Sequence, residues 1–225
     1  DYYIFGDTAG GVSTQRLVRE FGVNSALDLD DYLMRNPQFE GRYQDLDLHY
    51  TALGSTLALR KLMPLLDHLG PEDRVQMITA SELRPEMLKS ANIVYVGYFS
   101  SLGLLQEPIM GQSSFAIGET FDELINRRSN RRYVSEAGSA TRQTPHLDYA
   151  YVASFVGPAG NRFVVAAGTR DIGLLQAAEA LTDVSDLRAL TKDAARPATF
   201  EGLYEVRGLG RTNLSATLVS RRPGA

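Results

Sequence analysis

Three stretches of this chain repeat one design: an apolar run, a loop rich in Gly, Ser and Thr, then an amphipathic stretch. They are residues 2–14 (YYIFGDTAGGVST), 93–105 (IVYVGYFSSLGLL) and 163–175 (FVVAAGTRDIGLL). In open α/β sheets, strands that end in small polar loops and open onto helices build the ligand crevice. The loop backbone and the helix N-terminus present unpaired N–H groups there. The repetition therefore predicts where a ligand sits, without saying which ligand or whether anything is done to it.

Hydrophobic periodicity and turn residues fill in the rest of the chain. Short β-branched and aromatic runs predict strands over 2–6, 75–79 and 93–98. Helical spacing predicts helices over 14–21, 28–34, 55–69, 85–90, 121–128 and 173–182. The segment GPAGN at 157–161 reads as a hairpin turn between strands 149–156 and 162–167. Strands over 203–207 and 214–220 flank Gly208 and Gly210, while 41–53 and 133–144 read as loop. This order predicts a three-layer α/β fold with a mainly parallel central sheet and antiparallel hairpin additions. The type expected is Rossmann-like or periplasmic-binding-protein-like. The strands at 2–6, 93–97 and 163–167 are expected in the centre, with 75–79 beside them and their C-terminal ends on one edge. All of 1–225 reads as a single domain, with any division into two lobes near 138–148.

Bulk properties exclude several classes. The net charge is -4, and the cluster Arg127, Arg128, Arg131 and Arg132 lacks interleaved aromatics. It reads as a solvated helix end, so no direct nucleic-acid binding is expected. No apolar run approaches the roughly 20 residues of a membrane span. The absence of cysteine excludes disulfides, thiolate catalysis and Cys-ligated zinc within the chain. His49, His68 and His146 are isolated, with no His-x-His or His-x-x-x-His pair. Asp28, Asp30 and Asp31 lack the glycine and terminal Glu of a calcium loop and read as a helix N-terminus. No metal and no cofactor are expected.

The three loops supply the candidate site. The first contributes Asp7, Thr8 and Ser13, and its backbone suits an anion at a helix N-terminus. It lacks the Lys of a P-loop and the spacing of a dinucleotide fingerprint. The second contributes Tyr98, Ser100 and Ser101, a ring to stack and two hydroxyls to donate. The third contributes Thr169, Arg170 and Asp171 between Gly168 and Gly173. Arg170 is the one cation among these nine residues, and a guanidinium grips a carboxylate or phosphate through two parallel hydrogen bonds. A small polar or anionic ligand anchored by Arg170 is the expectation. The structural alternatives are ordinary strand-to-helix turns: Ser13 or Thr14 as an N-cap, Ser101 as a cap with Phe99 in the core, and a local Arg170–Asp171 pair.

Two resemblances bear on function. The block Phe5-Gly6-Asp7-Thr8 resembles the first block of the SGNH (GDSL-type) hydrolases. That family has a serine where Thr8 stands and a histidine in a late Asp-x-x-His block. The residues three before His49, His68 and His146 are Leu46, Leu65 and Gln143, so that block is missing. A hydrolase acting through the Asp7–Thr8 loop is therefore the alternative reading. The segments 92–97 (NIVYVG), 149–168, 173–183 and 200–220 resemble the C-terminal sensor-like domains of bacterial proteins, which often follow a DNA-binding winged helix. That resemblance covers roughly residue 73 to the end and brings no catalytic residues with it. It implies a ligand-sensing, regulatory module of a larger signalling or transcription-regulatory protein. An extracytoplasmic placement on a membrane-anchored protein is expected, with the cytoplasm as the alternative. The chain has no initiator Met and reads as a fragment. A homodimer fits this reading, and an interaction or dimerisation scaffold is the third option.

Overall fold

The computed structural model describes residues 2–7, 15–20, 23, 25–69, 75–136, 144–192 and 199–223. They fall into two compact units, residues 1–52 and 53–225. The suggested lobe boundary near 138–148 lies inside the second unit, partly outside the described residues.

The first unit carries a three-stranded antiparallel sheet of order β2-β1-β3, formed by β1 (Tyr2–Asp7), β2 (Gln15–Val18) and β3 (Tyr43–His49). Helix α1 (Ala26–Arg35) starts where the Ser25 hydroxyl accepts the Asp28 N–H at 3.1 Å. It ends at Asn36, just before Pro37. Val23 and Leu29 are buried against Tyr32, Leu33 and Tyr43. Within the predicted helix over 14–21, residues 15–18 form strand β2, because pairing with β1 overrides the weak helical spacing of Leu17 and Val18; residues 14 and 21 lie outside the described residues. The predicted loop over 41–53 contains β3, which pairs with the other edge of β1.

The second unit is built on a five-stranded sheet of order β11-β10-β8-β9-β4. Its strands are β4 (Ile93–Tyr98), β8 (His146–Val156), β9 (Arg162–Gly168), β10 (Phe200–Leu209) and β11 (Thr212–Pro223). Only β4 and β9 run parallel; the other neighbours are antiparallel. The expectation of a mainly parallel sheet is corrected here. Tight turns join β8 to β9 and β10 to β11, and a short turn permits only antiparallel pairing. Strand β1 is not a member of this sheet. Residues 75–79 form no strand, with Val75 and Met77 exposed and no paired strand beside them among the described residues.

Alternation along β8 sends residues to two cores. Tyr149, Tyr151, Ala153 and Phe155 enter one, Ala150 and Val152 the other. The second core is closed by helices α2 (Leu53–Leu66), α5 (Asp171–Thr182) and α6 (Val184–Thr191). The first is closed by Phe99, Leu102, Leu105, Ile109 and Met110, which lie on short helical turns and α4 (Gln106–Met110). The short helix α3 (Met87–Ser90) precedes β4. A small antiparallel sheet also packs on that core, through Phe115, Leu124 and Tyr133. It consists of β5 (Phe115–Ile117), β6 (Glu123–Asn126) and β7 (Arg132–Val134). Layers therefore flank the sheet on both faces, but the long helices lie on one face only.

The predicted helix over 121–128 is β6 and the turn after it. Asn126 Oδ1 accepts the N–H groups of Arg128 and Ser129, and Asn130 takes a left-handed φ of 56°. The basic cluster therefore flanks a hairpin turn rather than a helix end. Arg127 donates to the carbonyls of Phe115 and Met110, Arg132 pairs with Glu123, and Arg131 lies over the Tyr133 ring.

One buried carboxylate ties the small sheet to the large one. Glu201 on β10 is 1% exposed. It accepts the Ser113 and Tyr151 hydroxyls, the latter at 2.7 Å, and the Ser114 N–H, while Arg222 on β11 approaches to 3.3 Å. Each oxygen is matched to a donor, as a buried carboxylate requires.

Candidate functional site

The parallel pair fixes an edge. Tyr98 at the end of β4 lies in register with Gly168 at the end of β9, and Gly168 with Ala150 near the start of β8. The turn between β10 and β11 reaches the same edge, since Gly208 faces His146. The C-terminal edge of a parallel pair is where an α/β sheet presents its crevice.

Helix α5 leaves β9 almost without a loop. This close approach requires two glycines. A Cβ at Gly173 would strike the Tyr149 carbonyl, and one at Gly168 the Leu174 backbone nitrogen. The approach brings the first turn of α5 onto Asp148 of β8. Asp148 Oδ1 accepts the N–H groups of Tyr149 at 2.8 Å and Arg170 at 2.9 Å, together with the Thr169 hydroxyl. Its Oδ2 accepts the Gly173 N–H at 2.6 Å. The side chain is fully buried. Burial pushes its carboxyl above the usual range, while these four donors pull it back down. The negative charge that a helix N-terminus attracts is thus supplied from within the chain.

Arg170 turns away from Asp148. Its Nη2 meets Asp122 Oδ2 at 2.6 Å, with the two side chains 35% and 39% exposed. Its Nε is shut off from solvent and makes no hydrogen bond. Asp122 immediately precedes β6, and its backbone carbonyl accepts the Ser135 N–H at 2.9 Å. The Arg170–Asp122 pair therefore links the β9–α5 turn to the small sheet.

The third element is a short relay. The Tyr98 hydroxyl donates to Asp171 Oδ1, and Arg211 in the β10–β11 turn reaches Asp171 Oδ2 at 3.1 Å. Gly54 in the first turn of α2 lies against both, for a Cβ there would stand 2.5 Å from the Tyr98 hydroxyl and 2.8 Å from Asp171 Oδ1. Burial first, then the bond to Asp171, pushes the Tyr98 phenol well above its ordinary value. It stays protonated near neutral pH and is no base.

Four of the predicted site residues, Tyr98, Thr169, Arg170 and Asp171, share this edge. Ser100 and Ser101 follow in a 3-10 turn whose Phe99 is buried; Ser100 is exposed and Ser101 half-buried. Asp7 closes β1, in the sheet of the other unit, so the expectation of one sheet edge shared by all three loops is not met. Thr8 and Ser13 lie outside the described residues. The predicted local Arg170–Asp171 pair is replaced by two separate partnerships, Arg170 with Asp122 and Asp171 with Arg211. Sequence reading missed Asp148, Asp122 and Arg211. A signal existed for the first: Asp148 is the lone charge in the apolar run of β8.

A shallow open hollow of about 410 Å³ lies elsewhere, between α5, α6 and β11. Its lining includes Gln176, Glu179, Asp183, Asp186 and Asn213. Hydrogen bonds from the Ser185 hydroxyl and nearby amides hold the Asp183 carboxyl low. Burial pushes Asp186 up against the Tyr204 hydroxyl that donates to it at 3.1 Å. Among the described residues, no cluster of His, Asp and Glu is arranged to hold a metal ion. Among them too, no helix is long and apolar enough to cross a membrane. No family model, curated protein or solved structure matches the chain.

Proposed function

We propose that this chain is a non-catalytic regulatory binding domain that takes a small carboxylate- or phosphate-bearing ligand at Arg170. The observation that carries this reading is the half-used guanidinium. Asp122 engages Nη2 alone, and Nε is left without a hydrogen bond. A ligand presenting two oxygens takes the Nη2 position from Asp122 and, once the freed side chain shifts to uncover Nε, engages both, which is the geometry a guanidinium favours. Such a ligand competes with Asp122 and releases the tie between the β9–α5 turn and the small sheet. Binding is thereby coupled to a change in packing, which is what a sensor needs.

The other groups on this edge favour binding over turnover. Tyr98 is kept as a phenol, Asp148 is sealed beneath four donors, and the chain has no cysteine. The resemblance of 92–97, 149–168, 173–183 and 200–220 to bacterial C-terminal sensor-like domains points the same way. On that reading the chain serves a larger signalling or transcription-regulatory protein.

The test is calorimetric titration of inorganic phosphate and of citrate into wild type, Arg170→Ala and Asp122→Asn. Arg170→Ala should bind about 10- to 150-fold more weakly, the worth of one charge-assisted contact. Asp122→Asn should bind more tightly, because the internal competitor is gone. Equal responses from wild type and Arg170→Ala would sink the reading.

A further inference from the structure

Strand β11 ends the five-stranded sheet, and no other strand lies on its outer side among the described residues. Its twelve residues span roughly 40 Å at about 3.4 Å each. Residues 212–220 (TNLSATLVS) carry no charge, and those at 214–217 are exposed. Sheets ordinarily guard such an edge with charges, prolines or bulges. Here the charges and Pro223 stand only at the far end. The register against β10 shifts beside Leu214 and again beside Val219, leaving 215–218 in regular pairing between the two bulges.

The two ends of this edge differ in charge. At one end Arg221 donates to the Lys192 carbonyl at 2.7 Å and reaches the Ala189 carbonyl of α6, so it lies on the helix-covered face. At the other end Asn213 bonds to Gln176 of α5, on that same face, beside the hollow lined by Glu179, Asp183 and Asp186. An edge whose strand is basic at one end and borders an acidic hollow of α5 and α6 at the other is complementary to its own reverse.

We propose that a second copy of this chain pairs with β11 in antiparallel fashion, about a two-fold axis at Thr217, so that two sheets join into one. This rests on the edge strand and does not depend on the Arg170 reading. In an antiparallel ladder the two-fold axis stands perpendicular to the sheet and passes between a residue and its own copy. With Thr217 on the axis, Arg221 of each copy faces Asn213 of the other. The helices of both copies lie on one face of the joined sheet, so each Arg221 arrives at the mouth of an acidic hollow. Moving the axis to Ala216 would set Arg221 against Arg211 of the second copy, so charge selects between the two registers. A Thr–Thr pair at the centre is itself a favourable cross-strand contact. The contact is small, and the dimer is weak, with Kd in the ~10–100 μM range.

Sedimentation equilibrium of the chain should show a monomer–dimer equilibrium across about 5–500 μM. Thr217→Lys places two ammonium groups face to face and should leave only monomer, with an unchanged melting curve. The absence of cysteine makes a second readout clean. Thr217→Cys sets two thiols on strands whose Cα atoms are about 4.5–5.5 Å apart, within disulfide reach. Oxidised glutathione should cross-link it at least ~10-fold faster than Arg128→Cys on the exposed β6–β7 turn, because pairing raises the local thiol concentration. If Thr217→Lys fails to fold, the two cysteine variants decide alone. A wild type that stays monomeric throughout overturns the proposal. So does a dimer that survives Thr217→Lys, or equal cross-linking of the two cysteine variants.

Discussion

Asp148 of β8 accepts the backbone N–H of Gly173, in the first turn of α5, at 2.6 Å. The strand at the centre of the sheet thus caps the helix that packs on it, and the β9–α5 turn is held by a buried carboxylate rather than by a ligand. Asp148→Asn puts an amide N–H where the Gly173 N–H needs an acceptor. The variant should lose about 1–3 kcal/mol by chemical denaturation, the cost of one unsatisfied buried donor.

The same residue sets a pH dependence. The Asp148 carboxyl titrates above its ordinary value of 3.8 in the folded chain, mainly through burial. The folded state therefore holds that proton more tightly than the unfolded one. This group's contribution to stability is greatest below the unfolded value and falls as pH rises through the raised folded value. Stability measured from pH 3.5 to 7 should decline less steeply with rising pH in Asp148→Asn than in wild type. Parallel curves would show that the four donors cancel the effect of burial.

Arg170 and Asp122 are each more than a third exposed. A double-mutant cycle on stability should give a coupling below about 1 kcal/mol, diminishing at high salt. A coupling well above that would mean the pair is a fixed brace, too strong for a ligand to displace.

Gly54 offers a sharper test of packing. Gly→Ala inside a helix ordinarily stabilises by about 0.5–1 kcal/mol. Here the added methyl would stand 2.5 Å from the Tyr98 hydroxyl. Gly54→Ala should instead lower the melting temperature, and Tyr98→Phe in the same chain should recover part of the loss.

Glu201 gathers Ser113, Ser114, Tyr151 and Arg222 around one buried carboxylate. Glu201→Ala strands these donors and should cost about 3–5 kcal/mol in urea unfolding. Glu201→Gln, which keeps one acceptor oxygen, should cost less.

The strands were plain in the sequence, because VYVG, YVASFV and FVVAAG allow little else, but of these only β8 and β9 are central; β4, expected in the centre, is an edge strand with Val94 exposed. The hairpin at Gly157 to Asn161 and helix α5 were plain for the same local reasons. Orientation was not. Whether β4 and β9 run parallel depends on the path between residues 98 and 162, which holds the small sheet β5 to β7, where the local pattern predicts a helix over 121–128 and a loop over 133–144. Residues 121–128 have helical spacing, but Leu124 is buried by pairing and packing, and Ser129-Asn130 is the turn that reverses the chain. Thr169, Arg170 and Asp171 were located by their glycines. Their partners Asp148, Asp122 and Arg211 come from distant segments, and no local pattern links them.

The central position of β8 also orders events while the chain is being made. β9 follows it at once through a tight turn, whereas β10 emerges only after α5 and α6. For that interval the central, largely buried strand β8 has one bare edge. Asp148 already has its donors, but Tyr151 still awaits Glu201. A ribosome that pauses before residue 200 would hold out an open template for foreign strands. Nascent-chain chaperones and proteases would therefore meet this protein chiefly through β8, a surface that the finished fold hides.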